Sequence, residues 1–275
     1  MSGRRIDRVF DVGPSTPTEQ VDRRRDVLPG EPTMTDPFIF LSEDWFSRVG
    51  FEWHPHRGFE TVTYVVDGAL EHRDNAGGRG VLVAGDLQWV TAGRGVLHAE
   101  LAHERRPVHT LQLWLNLPAA KKRVAPRYQD VRGTDAPAVS APGAQARVFA
   151  GRVGEVHGPI DTHWPALVVD VRLDAGARFT LPIPGEYAAF FFLLGGAVDV
   201  AGRSVVAAQV GWLDAGAPGA SSLELAATQP AHLLLYASAP IREPIVAYGP
   251  FVMNRRDEII EAMSDFRRGA FGKTP

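Results

Sequence analysis

A series of short β-type segments, separated by glycines and polar residues, is the feature that most restricts the fold of this chain. Residues 61–66 are rich in β-branched side chains and precede Asp67-Gly68, a strong hairpin signal, which a return segment follows. Because no helical periodicity lies between these segments, they predict an antiparallel sandwich or barrel. The further strands are expected near residues 69–73, 81–83, 87–90, 95–101 and 110–115.

The same β pattern occurs twice, about 125 residues apart, which is typical of a duplicated domain. Gly68-Ala69-Leu70 has a counterpart at residues 196–198, and residues 88–93 (Gln-Trp-Val-Thr-Ala-Gly) have one at 211–216 (Gly-Trp-Leu-Asp-Ala-Gly). Residues 119–144, which contain several Pro, Ala and Gly residues, are the expected connection. We therefore predict an N-terminal segment over 1–35, a first β domain over 36–131, a second over 132–248, and a strand and helix over 249–275.

The two ends of the chain differ from these repeats. Residues 1–35 show little periodicity and predict a solvated segment, in which we interpret Arg23-Arg24-Arg25 as exposed charge rather than a nucleic-acid arm. Near the C-terminus, Asn254 is a candidate N-cap and Gly269 a candidate C′ residue of one amphipathic helix. Its predicted apolar face comprises Ile259, Ile260, Met263 and Phe266.

Composition narrows the functional classes. The chain has no cysteine, which excludes disulfides, thiolate ligands and cysteine nucleophiles. A formal net charge of −3 gives no electrostatic reason to expect a nucleic-acid partner. No apolar run approaches the ~20 residues of a membrane span, and no signal peptide is visible. These features predict a cytoplasmic protein, which we expect to be a monomer with no membrane partner.

His54-Pro55-His56 is the first candidate metal-binding motif. In an extended segment, residues two apart direct their side chains to the same face. Pro55 restricts its own φ and favours extended geometry at His54, so the pair is stiff before any metal binds. His98-Ala99-Glu100 has the same spacing and adds a carboxylate.

Three imidazoles and one carboxylate form a ligand set for a first-row transition metal rather than a closed structural zinc site. A six-coordinate ion held by these four ligands keeps two open positions, which suits oxygen chemistry. The residues do not select among Fe(II), Mn(II), Co(II), Ni(II) and Cu(II). In the second repeat, alignment places Pro182, Pro184, Ser221 and Leu223 at the ligand positions, so one metal per chain is expected.

Other residues near these motifs have two interpretations each. His72 can orient a metal ligand from outside the ligand set or be a structural histidine, and His109 can line a cavity. Arg57 can guard the mouth of the site or pair with an acid. For the aromatic side chains, core packing is the default and a pocket for a flat substrate is the alternative; these are Trp53, Phe59, Trp89 and Trp114.

Four blocks of this sequence resemble the pirin family of bicupins. They are residues 54–64 (His-Pro-His-Arg-Gly-Phe-Glu-Thr-Val-Thr-Tyr), residues 85–100, which end in His-Ala-Glu, residues 112–118 (Gln-Leu-Trp-Leu-Asn-Leu-Pro) and residues 249–254 (Gly-Pro-Phe-Val-Met-Asn). The resemblance covers residues 35–275 and implies an all-β protein of two tandem cupin barrels with a short C-terminal helix. It also implies iron in the N-terminal barrel, held by His54, His56, His98 and Glu100. Ala99 departs from the family pattern, where Ser is common.

Two functions follow from this resemblance. Some pirin-like proteins resemble quercetin 2,3-dioxygenases, in which Glu100 would accept the 3-hydroxyl proton of a flavonol before O2 opens the ring and carbon monoxide leaves. Others act as metal-dependent binding partners of transcription factors or metabolic enzymes, without turnover. We favour the dioxygenase, with Glu100 as both ligand and general base. A protein partner is the alternative.

Overall fold

The computed structural model describes residues 2–28, 32–47, 50–75, 77–216 and 218–274, most of which lie in strands. In the first half of the chain these are β1 (Ser2–Gly3), β2 (Ile6–Asp11), β3 (Arg23–Asp26), β4 (Phe38–Phe46), β5 (Gly50–His56), β6 (Phe59–Asp67), β7 (Ala69–Asp74), β8 (Arg79–Val83), β9 (Leu87–Thr91), β10 (Val96–Ala102), β11 (Val108–Asn116) and β12 (Arg127–Val131). In the second half they are β13 (Ala138–Ala141), β14 (Ala144–Ala150), β15 (Arg152–Val153), β16 (Val156–His157), β17 (Ala166–Leu173), β18 (Arg178–Pro184), β19 (Ala188–Gly195), β20 (Ala197–Val200), β21 (Arg203–Val206), β22 (Gln209–Leu213), β23 (Ala220–Ala227), β24 (Ala231–Ser238), β25 (Val246–Tyr248) and β26 (Phe251–Met253). The helices are α1 (Pro32–Thr35), α2 (Arg256–Arg267) and two 3₁₀ turns, His103–Arg105 and Ala119–Lys121.

The chain forms two compact units, and each includes one terminus. The first unit comprises Gly13–Thr134 and Ile241–Pro275, and the second comprises Met1–Val12 and Asp135–Pro240. The boundaries predicted at residues 35, 131 and 248 follow chain order, whereas these units group segments that contact one another, so those boundaries stay a prediction. β2 pairs with β22, and a bridge joins Phe251 of β26 to Arg57, the residue after His56.

Both units have the same strand order, which confirms the predicted tandem barrels. The order β9-β6-β11-β4 in the first unit corresponds to β22-β19-β24-β17 in the second. The other sheet of the first unit runs β5-β10-β7-β8. The repeat extends to single turns: Gly68 and Gly196 have φ of +79° and +80°, and a Cβ would lie 2.2 Å from the Pro107 carbonyl oxygen or 1.9 Å from that of Pro230. Glycine is therefore required at both hairpins.

The barrel of the second unit is filled with hydrocarbon where the first unit carries candidate ligands. Leu181, Ile183 and Leu223 on β18 and β23 are at most 1% exposed. The sequence alignment was wrong by one residue on β18, because Pro182 and Pro184 are only partly buried and their neighbours point inward. Among the described residues, no cluster of potential metal ligands occurs in this unit.

The prediction of a solvated N-terminal segment was wrong in two places. β2 forms the edge of a sheet in the second unit, and β3 pairs with β4 in the first. Arg24 Nε lies 2.6 Å from Asp44 Oδ1, and Arg25 Nη2 lies 2.5 Å from Glu43 Oε2. Because these carboxylates are nearly fully buried, they need cationic partners, which β3 supplies. The expected connection over 119–144 also contains β12, which pairs with β9.

The C-terminal helix begins at Arg256, so Arg255 and not Asn254 is its N-cap. The Glu258 carboxylate accepts a hydrogen bond from the Arg255 backbone N–H at 3.0 Å, and Gly269 has the expected positive φ, +75°. Ile259 is 5% exposed, whereas Ile260 is 67% exposed and does not belong to the buried face. Neither α-helix formed by the described residues has the length and apolar character that a bilayer crossing requires.

Candidate metal centre

Two neighbouring strands of the first unit bring three imidazoles together. His54 and His56 leave β5 two residues apart, and His98 on β10 lies opposite His54 in the antiparallel pairing. One ring nitrogen from each of the three lies within 4.8 Å of those of the other two. The Nε2 atoms of His54 and His56 are 3.1 Å apart. Two histidine motifs 42 residues apart in sequence thus form one cluster of nitrogen atoms.

The protonation and hydrogen bonding of these three imidazoles fit the binding of a divalent metal. His98 is fully buried, and neither of its ring nitrogens has a hydrogen-bond partner among the described residues. Burial lowers the pKa of His98 well below its ordinary value, with further contributions from His54, His56 and His72. Burial, and then His54, lowers the pKa of His56 in the same direction. Neutral imidazoles with free lone pairs are the form that binds metal.

Glu100 is not part of this 4.8 Å cluster, although it lies two residues beyond His98 on β10. The pairing of β10 with β5 shifts register between His98 and Glu100. Thr63 donates its hydroxyl to Glu100 Oε1 at 3.1 Å, and the Gln112 amide donates to Oε2 at 2.8 Å. Trp114 Nε1 in turn donates to Gln112 Oε1 at 3.1 Å, which orients that amide. The carboxylate is thereby held by both oxygens.

Thr63 and Gln112 were not singled out as site residues from the sequence, and Trp114 was named only as a possible pocket residue. Gln112 and Trp114 show the same i, i+2 spacing as the histidines and lie on β11, which pairs with β6. That spacing was the available signal. Without knowledge of which strands pair, however, it does not indicate a contact with Glu100.

Aromatic side chains surround the imidazoles. The Trp114 ring centroid is 5.1 Å from that of His56, and the Phe51 centroid is 6.1 Å from that of His54. Phe59 is fully buried with its ring centroid 4.4 Å from that of Trp114, and Trp89 is fully buried as well. Phe59 and Trp89 are therefore core residues, as the default interpretation predicted, whereas Trp114 and Phe51 are partly buried neighbours of the cluster.

His72 and His109, the two other histidines considered from the sequence as site residues, have different environments. His72 is fully buried opposite Glu100 on β7, with its ring 5.5 Å from that of His98. Its ring nitrogens have no hydrogen-bond partner among the described residues, so it does not orient His98 by a hydrogen bond. Burial lowers the pKa of His72, and nearby carboxylates oppose that shift. His109 stacks on Trp45 and lies 2.8 Å from Glu43, which is a structural role.

Buried polar contacts fix the backbone that follows His56. Arg57 pairs with Asp265 of α2 at 2.8 Å, so the interpretation that it pairs with an acid is confirmed. Lys122 is 1% exposed, and its Nζ donates to the carbonyl oxygens of Gly58 at 2.8 Å and Val252 at 3.0 Å. Nothing local in the sequence marks Lys122 as buried. The backbone after the candidate ligand His56 is therefore held by Lys122, which follows β11, and by the C-terminal segment.

Comparison with known proteins gives a consistent result. Residues 20–115 match the family model described as Pirin, and residues 168–272 match that of the Pirin C-terminal cupin domain. The chain is 39% identical to the Pirin of Rattus norvegicus over 257 residues, which are 90% of this chain and 87% of that protein.

Two solved structures extend the comparison. A quercetin 2,3-dioxygenase from Acinetobacter baumannii is 30% identical, with a TM-score of 0.90 over 99% of both chains. A bacterial pirin from Escherichia coli, solved in complex with nickel(II), has a TM-score of 0.68 and 19% identity, covering 85% of this chain and all of that one. The second likeness shows the fold alone.

Proposed function

This chain belongs to the pirin family, and on that premise we propose that it is a metal-dependent dioxygenase that cleaves quercetin-type flavonols with O2 and releases carbon monoxide. The observation that carries the proposal is the cluster of His54, His56 and His98 beside a carboxylate held by hydrogen bonds to both its oxygens. The three imidazoles are the proposed ligands, and Glu100 the proposed fourth. Iron(II) is the ion we propose, with Mn, Co, Ni and Cu as alternatives to be tested.

A divalent ion at this position would supply Lewis acidity and a route for electrons between substrate and O2. Glu100 is the proposed proton acceptor for the flavonol 3-hydroxyl. Each carboxylate oxygen has about two lone-pair sites and uses one to accept a hydrogen bond from Thr63 or Gln112. The other lone-pair sites can bind a metal or accept a proton. Trp114 prevents the Gln112 amide from turning its oxygen toward the carboxylate.

The reaction is balanced without another reductant. Flavonol and O2 give one aromatic ester, the depside, and one carbon monoxide, and the proton taken by Glu100 returns to the product. The partly buried faces of Trp114 and Phe51 are suitable contacts for the flat substrate. The alternative function that the family resemblance implies, a metal-dependent regulator, does not require Glu100 to accept a proton.

The test is to load the metal-free protein with each of the five ions under anaerobic conditions, add quercetin and then O2, and measure carbon monoxide and depside. His56→Ala is expected to lose metal by elemental analysis and all product. Glu100→Gln is expected to retain part of the metal but lose carbon monoxide release, because the amide cannot accept the proton. Glu104→Gln, at an exposed glutamate, is the matched control. Metal binding without carbon monoxide from any loaded form refutes the proposal and favours the regulator.

A further inference from the structure

A cavity of about 850 Å³ opens beside His72 in the first unit. Its lining includes none of His54, His56, His98 or Glu100, so it is separate from the candidate metal ligands. The volume lies within the range of small-molecule sites, about 300–1,000 Å³. Four arginines and two aspartates line it, which gives an excess of positive charge.

The basic end of the cavity contains Arg57 and Arg94. Arg57 is 4% exposed; its Nε donates to the Arg94 carbonyl oxygen at 2.6 Å and its Nη1 to Asp265. Its Nη2 makes no hydrogen bond to the described part of the chain. The Arg94 side chain is exposed and has neither an ion pair nor a hydrogen bond there. Two guanidinium groups therefore have free donors at this end.

Another part of the lining presents His72, Tyr128 and the buried carboxylate of Asp74, whose Oδ2 lies 3.8 Å from His72 Nε2. His72 is fully buried, and both of its ring nitrogens lack a hydrogen-bond partner among the described residues. Because the Asp74 contact is longer than a hydrogen bond, a ligand that supplied one would stabilise this buried imidazole. The Tyr128 ring lies 5.5 Å from that of His72, and its hydroxyl has no partner within the described ranges.

Apolar side chains also line the cavity. Val90, Val96 and Pro126 line the cavity, together with Phe271, whose ring lies under the Arg57 guanidinium at 4.5 Å. Such a lining suits a flat ring, and a planar guanidinium suits a carboxylate. A ligand that satisfies the guanidinium groups, the apolar side chains and the other polar groups thus carries a carboxylate, an aromatic ring and a hydroxyl.

We propose that this cavity binds a hydroxylated aromatic carboxylate, with the carboxylate on Arg94 and Arg57 and the hydroxyl at Tyr128 and His72. Phosphate lacks the ring, phenol lacks the charge and benzoate lacks the hydroxyl, so each tests one part of the recognition. The proposal does not depend on the metal or on flavonol cleavage.

The experiment is isothermal titration calorimetry of the full chain with 4-hydroxybenzoate, benzoate, phenol and inorganic phosphate. We expect 4-hydroxybenzoate to bind most tightly. Arg94→Ala should weaken it about tenfold, the usual effect of a charged hydrogen bond. Arg106→Ala, which removes an exposed arginine outside the cavity, should not change it. Tyr128→Phe should weaken 4-hydroxybenzoate and leave benzoate unchanged.

The metal-free His56→Ala variant separates this site from the proposed metal centre. Binding of 4-hydroxybenzoate should persist in that variant within a factor of two or so. Loss of binding in His56→Ala, equal losses in Arg94→Ala and Arg106→Ala, or equally tight binding of phosphate would each overturn the proposal. No binding of 4-hydroxybenzoate to the unmutated protein would overturn it as well.

Discussion

Replacing Lys122 with Met tests whether a buried amino group holds the backbone that follows the candidate ligand His56. Methionine keeps the unbranched side chain as far as Cε and removes the Nζ group that lies near three oxygens: Gly58 O at 2.8 Å, Val252 O at 3.0 Å and Asn116 Oδ1 at 2.7 Å. Each buried acceptor left without a donor costs about 1–3 kcal/mol. Removal of a buried cation offsets part of this loss.

The pH dependence of the effect follows from the lysine. Burial lowers the pKa of Lys122 from 10.5 to about 7. Between these values the unfolded chain binds a proton that the folded chain does not, so the stability of the parent protein rises with pH relative to the variant. Below pH 7 both states are protonated and the difference is constant. We expect the variant to be less stable by about 3 kcal/mol at pH 9, and this difference to shrink by about 2 kcal/mol at pH 7.

Urea unfolding of both metal-free proteins at pH 6, 7, 8 and 9, at constant ionic strength, measures this difference. Lys121→Met is the matched control, because that neighbouring lysine is exposed, and it should change stability by less than about 0.5 kcal/mol at every pH. A difference that does not vary between pH 7 and 9 would refute the assigned titration. Equal effects of the two substitutions would refute the structural role of Lys122.

Three further substitutions test the surroundings of the site. Gly58→Ala places a Cβ 2.0 Å from the Val252 carbonyl oxygen at φ +89°, so it should lower both stability and metal content. Gly77→Ala is the control, because Gly77 has a similar φ of +95° but no atom within 4 Å of the added Cβ, and this substitution carries only the backbone strain of about 1–3 kcal/mol. Asp265→Ala leaves the buried Arg57 without its carboxylate and should cost about 3–5 kcal/mol in thermal or urea unfolding; a loss below 1 kcal/mol would contradict the ion-pair assignment. Ile259→Ala should cost about 2–4 kcal/mol and Ile260→Ala less than about 1 kcal/mol, since only Ile259 is buried, and similar losses would contradict the orientation of α2.

Much of the architecture was predictable because it depends on residues that are close together in the sequence. Alternation of side chains along a strand has a period of two, and hairpins need a positive φ at fixed positions, so Gly68 and Gly196 mark the repeat before any contact is known. The same period places His54 and His56 on one face. The errors arose where a one-residue shift exchanges the two faces, as on β18, where Leu181 and not Pro182 points inward.

The N-terminal segment was misread for a different reason. Arg24 and Arg25 have the composition of an exposed charged segment, yet they form a strand because Asp44 and Glu43 are buried on the neighbouring β4. A charge pattern shows that a partner is needed but not where it lies. Ile260 illustrates the same limit on a helix, since periodicity defines a broad apolar face and only packing decides its edge.

By itself, the sequence determined two β repeats and two His-containing pairs, and it located the candidate ligands in only the first repeat. The tertiary structure alone decided that Thr63 and Gln112 hold Glu100, that Lys122 and Asp265 support the backbone after His56, and that the two termini belong to different units. The physical reason is the distance along the chain over which each kind of interaction acts. Strand alternation and turn geometry depend on neighbouring residues, whereas the partner of a buried polar group can come from any part of the chain that the fold brings within hydrogen-bonding distance.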